Sequence, residues 1–105
     1  GRLPDLNLGT VDGASCAGDL RDALRAVLAS QLKFTHVVDG RFKGGHITRH
    51  YGRPHEGVQA VQLEMCWRCY MHEEPPYAYA RERAAQVQPV LRDLLGAMLR
   101  WRPRG

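Results

Sequence analysis

"VQAVQLEMC", residues Val58–Cys66, is the stretch of sequence that decides the fold. Apolar and polar side chains alternate along it, which is the period-two pattern of a β-strand with one face in a core. The apolar face consists of Val61, Leu63 and Met65, and the polar face holds Gln62 and Glu64. Since one such strand cannot bury its apolar face alone, the remaining segments are expected to supply neighbouring strands and a covering layer.

Two more strands and a helix are predicted upstream of this stretch. "DLNLG" (Asp5–Gly9) and "KFTHVVDG" (Lys33–Gly40) have strand-like composition and each ends at a glycine. Between them apolar residues recur at helical spacing, which predicts an amphipathic helix over Cys16–Ser30 with Ser15 as its N-cap. The apolar stripe of that helix comprises Leu20, Ala23, Leu24, Val27 and Leu28.

The order of the predicted elements favours an α/β layered domain. "RFKGGHITRHYGRPHEG" (Arg41–Gly57) is expected to be a long loop, or a loop between two short strand ends. A second helix follows the last strand, and Pro89 lies in its first turns or inside a longer helix that begins near Ala80. Strand, helix, strand, loop, strand and helix together predict a single partial α/β domain over residues 1–105. The stripe of the second helix is formed by Val87, Val90, Leu91, Leu94, Leu95, Met98 and Leu99.

Composition excludes several classes of protein. Apolar residues make up 44% of the chain and charged residues 25%, which is typical of a globular domain. No apolar run approaches the roughly 18–20 residues of a membrane helix, and no signal peptide is visible, so we expect no membrane partner. The three cysteines are an odd number, which fits a reducing compartment better than a disulfide framework. We therefore expect a cytoplasmic protein.

The positive charge is concentrated in the tail. The formal net charge is +4, but Arg100, Arg102 and Arg104 account for three of those charges and the remainder carries only +1. A nearly neutral body argues against a nucleic-acid partner, although the tail could bind anions weakly. The sequence predicts no particular oligomeric state.

The segment Arg41–Arg53 is rich in cations. It contains Arg41, Lys43, Arg49 and Arg53 but no acidic residue, and Gly44 and Gly45 lie among them. Glycines allow the backbone to approach a ligand closely, and arginine presents a planar fork that matches a carboxylate. The composition equally fits a pocket for a small carboxylate and a surface hairpin whose cations have no shared function.

A carboxylate in the middle of the best strand is the second candidate. Glu64 has Leu63 and Met65 as neighbours, and a charge there is costly unless it is paired or faces a cleft. In a cleft it could act as a general base. The alternative is a half-exposed strand whose polar face is in water, and the polar side chain of Gln62 keeps that alternative open.

The cysteines offer weaker signals. "CWRC" places Cys66, Cys69 and His72 at C-x-x-C-x-x-H spacing. A zinc site requires four ligands and no second pair follows, while a redox C-x-x-C usually opens a helix, so neither role is favoured. Cys16 lies near a helix start, where a thiolate is stabilised, but a structural role is the better prediction for it.

Three segments together resemble a known family. "KGGHITRHYGRPHEGVQAVQLEMC" and "YMHEEPPYAYARERAAQVQPVLRDLL" are similar to the C-terminal part of bacterial N-formylglutamate amidohydrolases. "LGTVDGASC" resembles the segment just upstream in that family. The resemblance extends over essentially the whole chain.

The resemblance implies a zinc-dependent amidohydrolase with a phosphorylase/hydrolase-like, zinc carboxypeptidase-like three-layer α/β fold. The implied reaction, a step of histidine degradation, is hydrolysis of N-formyl-L-glutamate to L-glutamate and formate by a zinc-activated water. The small-molecule substrate would be the partner of the site. The zinc ligands are expected upstream of this chain, which itself would supply none. We therefore expect these 105 residues alone to be inactive and poorly stable.

The resemblance also implies roles for individual residues. Glu64 matches the proton-accepting glutamate, and Arg49 would bind a substrate carboxylate. The pocket would be shaped by Lys43, Gly44, Gly45, His50 and Tyr51. Two positions depart from the family pattern: His72 stands where Asp is common, and His46 where an aromatic residue is expected. The second hypothesis is a non-catalytic cytosolic module that binds small carboxylate ligands.

Overall fold

The computed structural model describes residues 3–72, 74–76 and 78–103. Within them three strands and three α-helices alternate along the chain, with two short 3₁₀ turns. No helix in these ranges is long and apolar enough to cross a bilayer. The elements are β1 (Leu6–Gly9), α1 (Gly18–Ala29), β2 (His36–Val38), α2 (His46–Tyr51), a 3₁₀ turn (Pro54–Glu56), β3 (Gln62–Met65), a second 3₁₀ turn (Trp67–Cys69) and α3 (Arg81–Arg100).

The three strands form a mixed sheet with β1 in the centre. Its order is β2–β1–β3, with β1 parallel to β2 and antiparallel to β3. The parallel pair needs a crossover, and α1 supplies it. The register places Asn7 between Val37 on one side and Glu64 on the other. All four residues of β1 are buried, as expected for a central strand whose two faces are both covered.

One face of the sheet carries the hydrophobic core. Leu6 and Leu8 are 0% and 2% exposed and belong to the same cluster as the apolar stripes of α1 and α3. The opposite face presents Asn7 and Glu64, since side chains alternate along a strand. Polar chemistry is therefore segregated from the core by the sheet itself. The helical residues of the buried cluster are Leu20, Leu24, Leu28, Val87, Val90 and Leu94.

The start of α1 differs from the prediction. The helix begins at Gly18 rather than Cys16, and its N-cap is Ala17, which makes no side-chain cap hydrogen bond. Ser15 is not the cap because its Oγ donates to the Ala60 carbonyl oxygen at 2.6 Å. Instead, Gln59 Oε1 accepts from the Ala17 N–H at 2.6 Å. The side chain of Gln59, which is distant in sequence, thus accepts a hydrogen bond from the start of α1 and connects it to the segment that precedes β3.

The region predicted as a long loop contains a helix. α2 occupies His46–Tyr51, and its buried residue is Thr48. Six residues are too few to display an apolar stripe, so the spacing of apolar residues did not predict a helix there. By contrast, the longer form of the last helix is confirmed: α3 begins at Arg81 and contains Pro89.

Candidate active site

Glu64 stands on the polar face of β3. Its side chain is exposed, and it lies opposite Asn7 of the central strand. The neighbouring Gln62 donates a hydrogen bond from Nε2 to Glu64 Oε1. The predicted alternation is confirmed within β3, because Leu63 and Met65 pack against the core on the other face. The strand itself is shorter than predicted, since it covers only Gln62–Met65 of the stretch Val58–Cys66.

The paired glycines are connected to Glu64 through Gln62. The Gly45 N–H donates to Gln62 Oε1 at 2.7 Å, while the amide nitrogen of the same side chain donates to Glu64. Gly44 has φ +143°, and a Cβ there would overlap Thr48 Oγ1. The glycine is therefore required for the path of the backbone. The structure thus brings Gly44 and Gly45, hereafter the glycine segment, close to the Glu64 carboxylate. The sequence suggested these two features separately.

The predicted cations differ in their availability. Arg49 donates from Nε to the Gly44 carbonyl oxygen at 2.9 Å and has no ion pair within the described part of the chain. Lys43 Nζ instead lies 2.9 Å from Asp12 Oδ2 and 3.0 Å from Oδ1. Lys43 therefore already has an anionic partner, and Arg49 is the better candidate for binding an anion.

His50 and Tyr51 belong to a small aromatic group on α2. The rings of His46 and His50 are stacked with centroids 5.1 Å apart, and the Tyr51 ring meets His50 edge-on at 4.7 Å. Tyr51 is exposed. The ring contacts of His50 and Tyr51 lie within α2. The hydrogen bonds that lead to Glu64 pass through Gln62 and do not involve these two residues.

A cavity of about 410 Å³ lies beside Glu64. Its polar lining includes Asn7, Arg41 and Arg68 in addition to the carboxylate. Within the residues that the structure describes, its cations are thus Arg41 and Arg68, and Arg49 is not in its wall. The apolar lining consists of Leu3, Pro4, Phe42, Met65 and Cys66.

A buried ionic network, which the sequence did not reveal, lies at the carboxyl ends of β1 and β2. The Asp39 side chain is only 2% exposed, and Arg21 Nη2 donates to its Oδ2 at 2.8 Å. The Thr10 N–H donates to Oδ1 at 2.6 Å. Burial alone would raise the pKa of Asp39, but the hydrogen bonds from Thr10 and Arg21 outweigh it and lower the pKa.

This network supports the turn that contacts the glycine segment. Val11 and Asp12 have φ +51° and +52°, a left-handed conformation that is unfavourable for a β-branched valine. The Val11 N–H donates to the Lys43 carbonyl oxygen at 2.7 Å. Because Asp39 binds the adjacent Thr10, it fixes the turn whose Val11 N–H donates to the Lys43 carbonyl oxygen. In sequence, Asp39 lies within the predicted strand Lys33–Gly40, so nothing marked it as an ion-pair partner of the helix.

The cysteines are mainly structural. Cys16 and Cys69 are buried in the core cluster, in agreement with the structural role predicted for Cys16. Burial raises the pKa of the Cys16 thiol and raises that of Cys69 to about 11, so neither is primed as a thiolate. Across residues 3–72, 74–76 and 78–103, no three His, Cys, Asp or Glu side chains converge as metal ligands. These residues therefore do not fit a zinc site.

Comparisons with known proteins agree with the resemblance. Residues 1–71 match the family described as N-formylglutamate amidohydrolase. The chain is 52% identical to the N-formylglutamate deformylase of Pseudomonas aeruginosa and 50% identical to that of Pseudomonas putida, over 101 residues in each case. Each alignment covers 96% of this chain and 38% of the relative, so the chain spans well under half the length of these proteins.

The fold is also similar to a solved structure. The N-formylglutamate amidohydrolase from Ralstonia eutropha JMP134 superposes with a TM-score of 0.73 at 28% identity. The match covers 95% of this chain and 34% of that one. The mixed sheet and the helices thus occur in a protein of the same family. With the family match, two relatives at about half identity and this structure in agreement, the chain belongs to the N-formylglutamate amidohydrolase family.

Proposed function

We propose that this chain carries the proton-accepting and substrate-binding part of an enzyme that hydrolyses N-formyl-L-glutamate to L-glutamate and formate. The observation that carries the proposal is the path from Gly45 through Gln62 to Glu64. It connects a carboxylate at the wall of a cavity to a glycine segment flanked by cations. The deformylase relatives supply the substrate and the reaction.

In the proposed reaction, Glu64 acts as the base. Water adds to the formyl carbon, the C–N bond breaks, and one proton moves from the water to the departing amine nitrogen. Glu64 accepts that proton and passes it on, for which an exposed carboxylate beside a cavity is suitably placed. Gln62 restricts the rotation of the carboxylate because it is itself held by the Gly45 N–H.

In the same proposal, Arg49 binds a substrate carboxylate. Its guanidinium is oriented by the Gly44 carbonyl oxygen, which leaves its terminal nitrogens to form the fork. Lys43 contributes less because Asp12 pairs with it. His50 and Tyr51 would shape the outer part of the pocket from α2.

We further propose that the metal belongs to another part of the enzyme. The described side chains do not gather into a zinc site, so the ligands would lie outside these 105 residues. The complete protein would then have the three-layer, carboxypeptidase-like fold and act in the cytoplasm in histidine degradation. Three free cysteines are compatible with that compartment.

An assay of formate release tests the proposal. It compares these 105 residues with the product of the complete open reading frame that encodes them, hereafter the full-length product, both with added zinc. We expect N-formyl-L-glutamate to be hydrolysed by the full-length product only. Activity of the 105 residues alone would overturn the assignment of the metal to another part. If the full-length product is inactive but still binds L-glutamate, the hypothesis of a non-catalytic binding module would replace that of an enzyme.

A further inference from the structure

We propose that Arg41 is a second carboxylate-binding residue of this site, one that recognises a different carboxylate of the substrate from the one bound by Arg49. The inference rests on the proposed function and adds a determinant of specificity to it. Arg41 lines the cavity beside Glu64, whereas Arg49 lies outside its wall and donates to the Gly44 carbonyl oxygen. The resemblance to the family assigned no role to Arg41.

Among the described residues, two arginines line this cavity, but one of them is already paired. Arg68 forms an ion pair with Asp5, and both side chains are mostly buried. Its Nη2 also donates to the Leu3 carbonyl oxygen at 2.5 Å. Arg41 has no ion pair in the described ranges, and its guanidinium carbon lies 5.9 Å from the centre of the Phe42 ring. Of the two cations that the structure describes in the cavity wall, Arg41 is therefore the one that remains available for an anion.

The backbone around Arg41 is fixed against the polar face of the sheet. Asn7, only 5% exposed, donates from Nδ2 to the Phe42 carbonyl oxygen at 2.5 Å, and its Oδ1 accepts from the Phe42 N–H at 3.4 Å. On the other side, Gly40 packs so closely that an added Cβ would lie 2.7 Å from Val37 Cγ1. The backbone of Arg41 thus lies between two closely packed residues, which limits the backbone entropy lost on binding a ligand.

The same asparagine links Arg41 to the proposed base. Asn7 is the register partner of Glu64, so the residue that anchors Phe42 sits directly beside the strand that carries the carboxylate. A buried amide that makes two hydrogen bonds to one backbone position is costly to replace. The arrangement explains why an asparagine occupies the centre of an otherwise apolar strand.

The chemistry of the substrate calls for two cations. N-formyl-L-glutamate has two carboxylates, and each is best recognised by the planar fork of an arginine. Of the two cations that the resemblance placed in the pocket, Lys43 is paired with Asp12, which leaves Arg49 for one carboxylate. The cavity volume of about 410 Å³ falls in the range typical of small-molecule sites.

Kinetics with three substrates tests the inference on the full-length product. The substrates are N-formyl-L-glutamate and its two monoamides, each of which lacks one carboxylate. We expect Arg41→Ala to lower kcat/KM for N-formyl-L-glutamate by about 10- to 100-fold, mainly through KM. For one monoamide, the one lacking the carboxylate that Arg41 binds, the variant should have little effect. Arg41→Lys should restore part of the loss because it retains the charge.

The controls separate the outcomes. Arg92→Ala, which removes an exposed arginine from α3, should leave all three values unchanged. The role of Arg41 would be overturned if the wild type is active and Arg41→Ala keeps the wild-type kcat/KM, or if the variant lowers kcat/KM by the same factor for all three substrates. The proposed function would then still stand. A wild type that hydrolyses none of the three would overturn both.

Discussion

The Gln62 side-chain amide joins the Gly45 backbone to the Glu64 carboxylate, because it accepts from the one and donates to the other. Gln62 and Glu64 are two residues apart on β3 and so share its polar face. The carboxylate is exposed and keeps access to the cavity while its orientation is constrained. A glutamine on the strand thus connects the two features on which the proposed reaction depends.

Replacement of Gln62 by methionine tests this connection. The variant retains a side chain of similar length but removes both hydrogen bonds, so Glu64 should lose its fixed orientation. We expect kcat for N-formyl-L-glutamate to fall by about 10- to 100-fold, with a smaller change in KM. Steady-state kinetics of the full-length product measures both. Gln88→Met, at an exposed position of α3, is the matched control, and a wild-type kcat for Gln62→Met would contradict the positioning role.

The conformation of Gly44 provides a second prediction. Gly44→Ala places a Cβ against Thr48 Oγ1 at φ +143°, whereas Gly57→Ala adds a Cβ at φ +85° with no atom nearby. Both substitutions should cost about 1–3 kcal/mol of stability through backbone strain. Only Gly44→Ala should also raise KM, because it displaces the glycine segment. Urea unfolding and steady-state kinetics of the two variants distinguish these effects, and equal KM values would contradict the requirement for glycine at this site.

The buried Asp39 makes stability depend on acidity. Its pKa is lowered from the ordinary value of 3.8, so its ionised form stabilises the folded state. That contribution is complete above about pH 5 and is lost as the pH falls through the lowered pKa. Asp39→Asn should therefore unfold more easily at neutral pH, by about 3 kcal/mol, and its stability should change less on acidification.

Asparagine is a suitable probe at position 39. Asp39 has φ +52°, and asparagine tolerates that conformation, so the substitution removes the charge without adding strain. Urea denaturation at about pH 7 and about pH 3 measures the difference. Asp93→Asn, an exposed substitution on α3, should keep the wild-type profile. An Asp39→Asn profile that parallels the wild type at both pH values would refute the contribution of the Arg21 pair.

The core offers a matched pair of leucines. Leu24 of α1 is 0% exposed and lies in the central cluster, whereas Leu32 is 98% exposed. Leu24→Ala should destabilise the fold by about 2–5 kcal/mol, because it leaves a cavity that the neighbouring residues fill only in part. Leu32→Ala should change stability by less than about 0.5 kcal/mol. Unfolding midpoints of both variants check the difference, and similar values would mean that α1 does not pack as described.

Periodic segments could be predicted from the sequence, and local irregularities could not. The alternation around Leu63 and Glu64 and the stripe that includes Val87 and Leu94 are strong signals, since burial imposes a regular period on the side chains. α2 has too few residues to show a period. Serine is a favoured N-cap residue, but the Ser15 hydroxyl donates instead to the Ala60 carbonyl oxygen. This is a tertiary contact, which rules based on local sequence do not predict.

The candidate site was predictable in part for the same reason. Glu64 and the cation-rich segment stand out by residue type, so the sequence alone marked them as candidates. The bridging role of Gln62, the pairing of Lys43 with Asp12 and the Arg21–Asp39 network depend on residues brought together by folding. Such pairings leave no trace in a single sequence, because many partners are equally compatible with it.

The most direct measurement is the activity of Glu64→Gln in the full-length product, compared with Glu82→Gln, an exposed glutamate in the first turn of α3. If Glu64 is the base, its replacement should lower kcat for N-formyl-L-glutamate by at least about 100-fold, with little change in KM. Because the side chain is exposed, the unfolding midpoint should stay near that of the wild type. A Glu64→Gln enzyme with a kcat close to those of the wild type and Glu82→Gln would contradict the central claim.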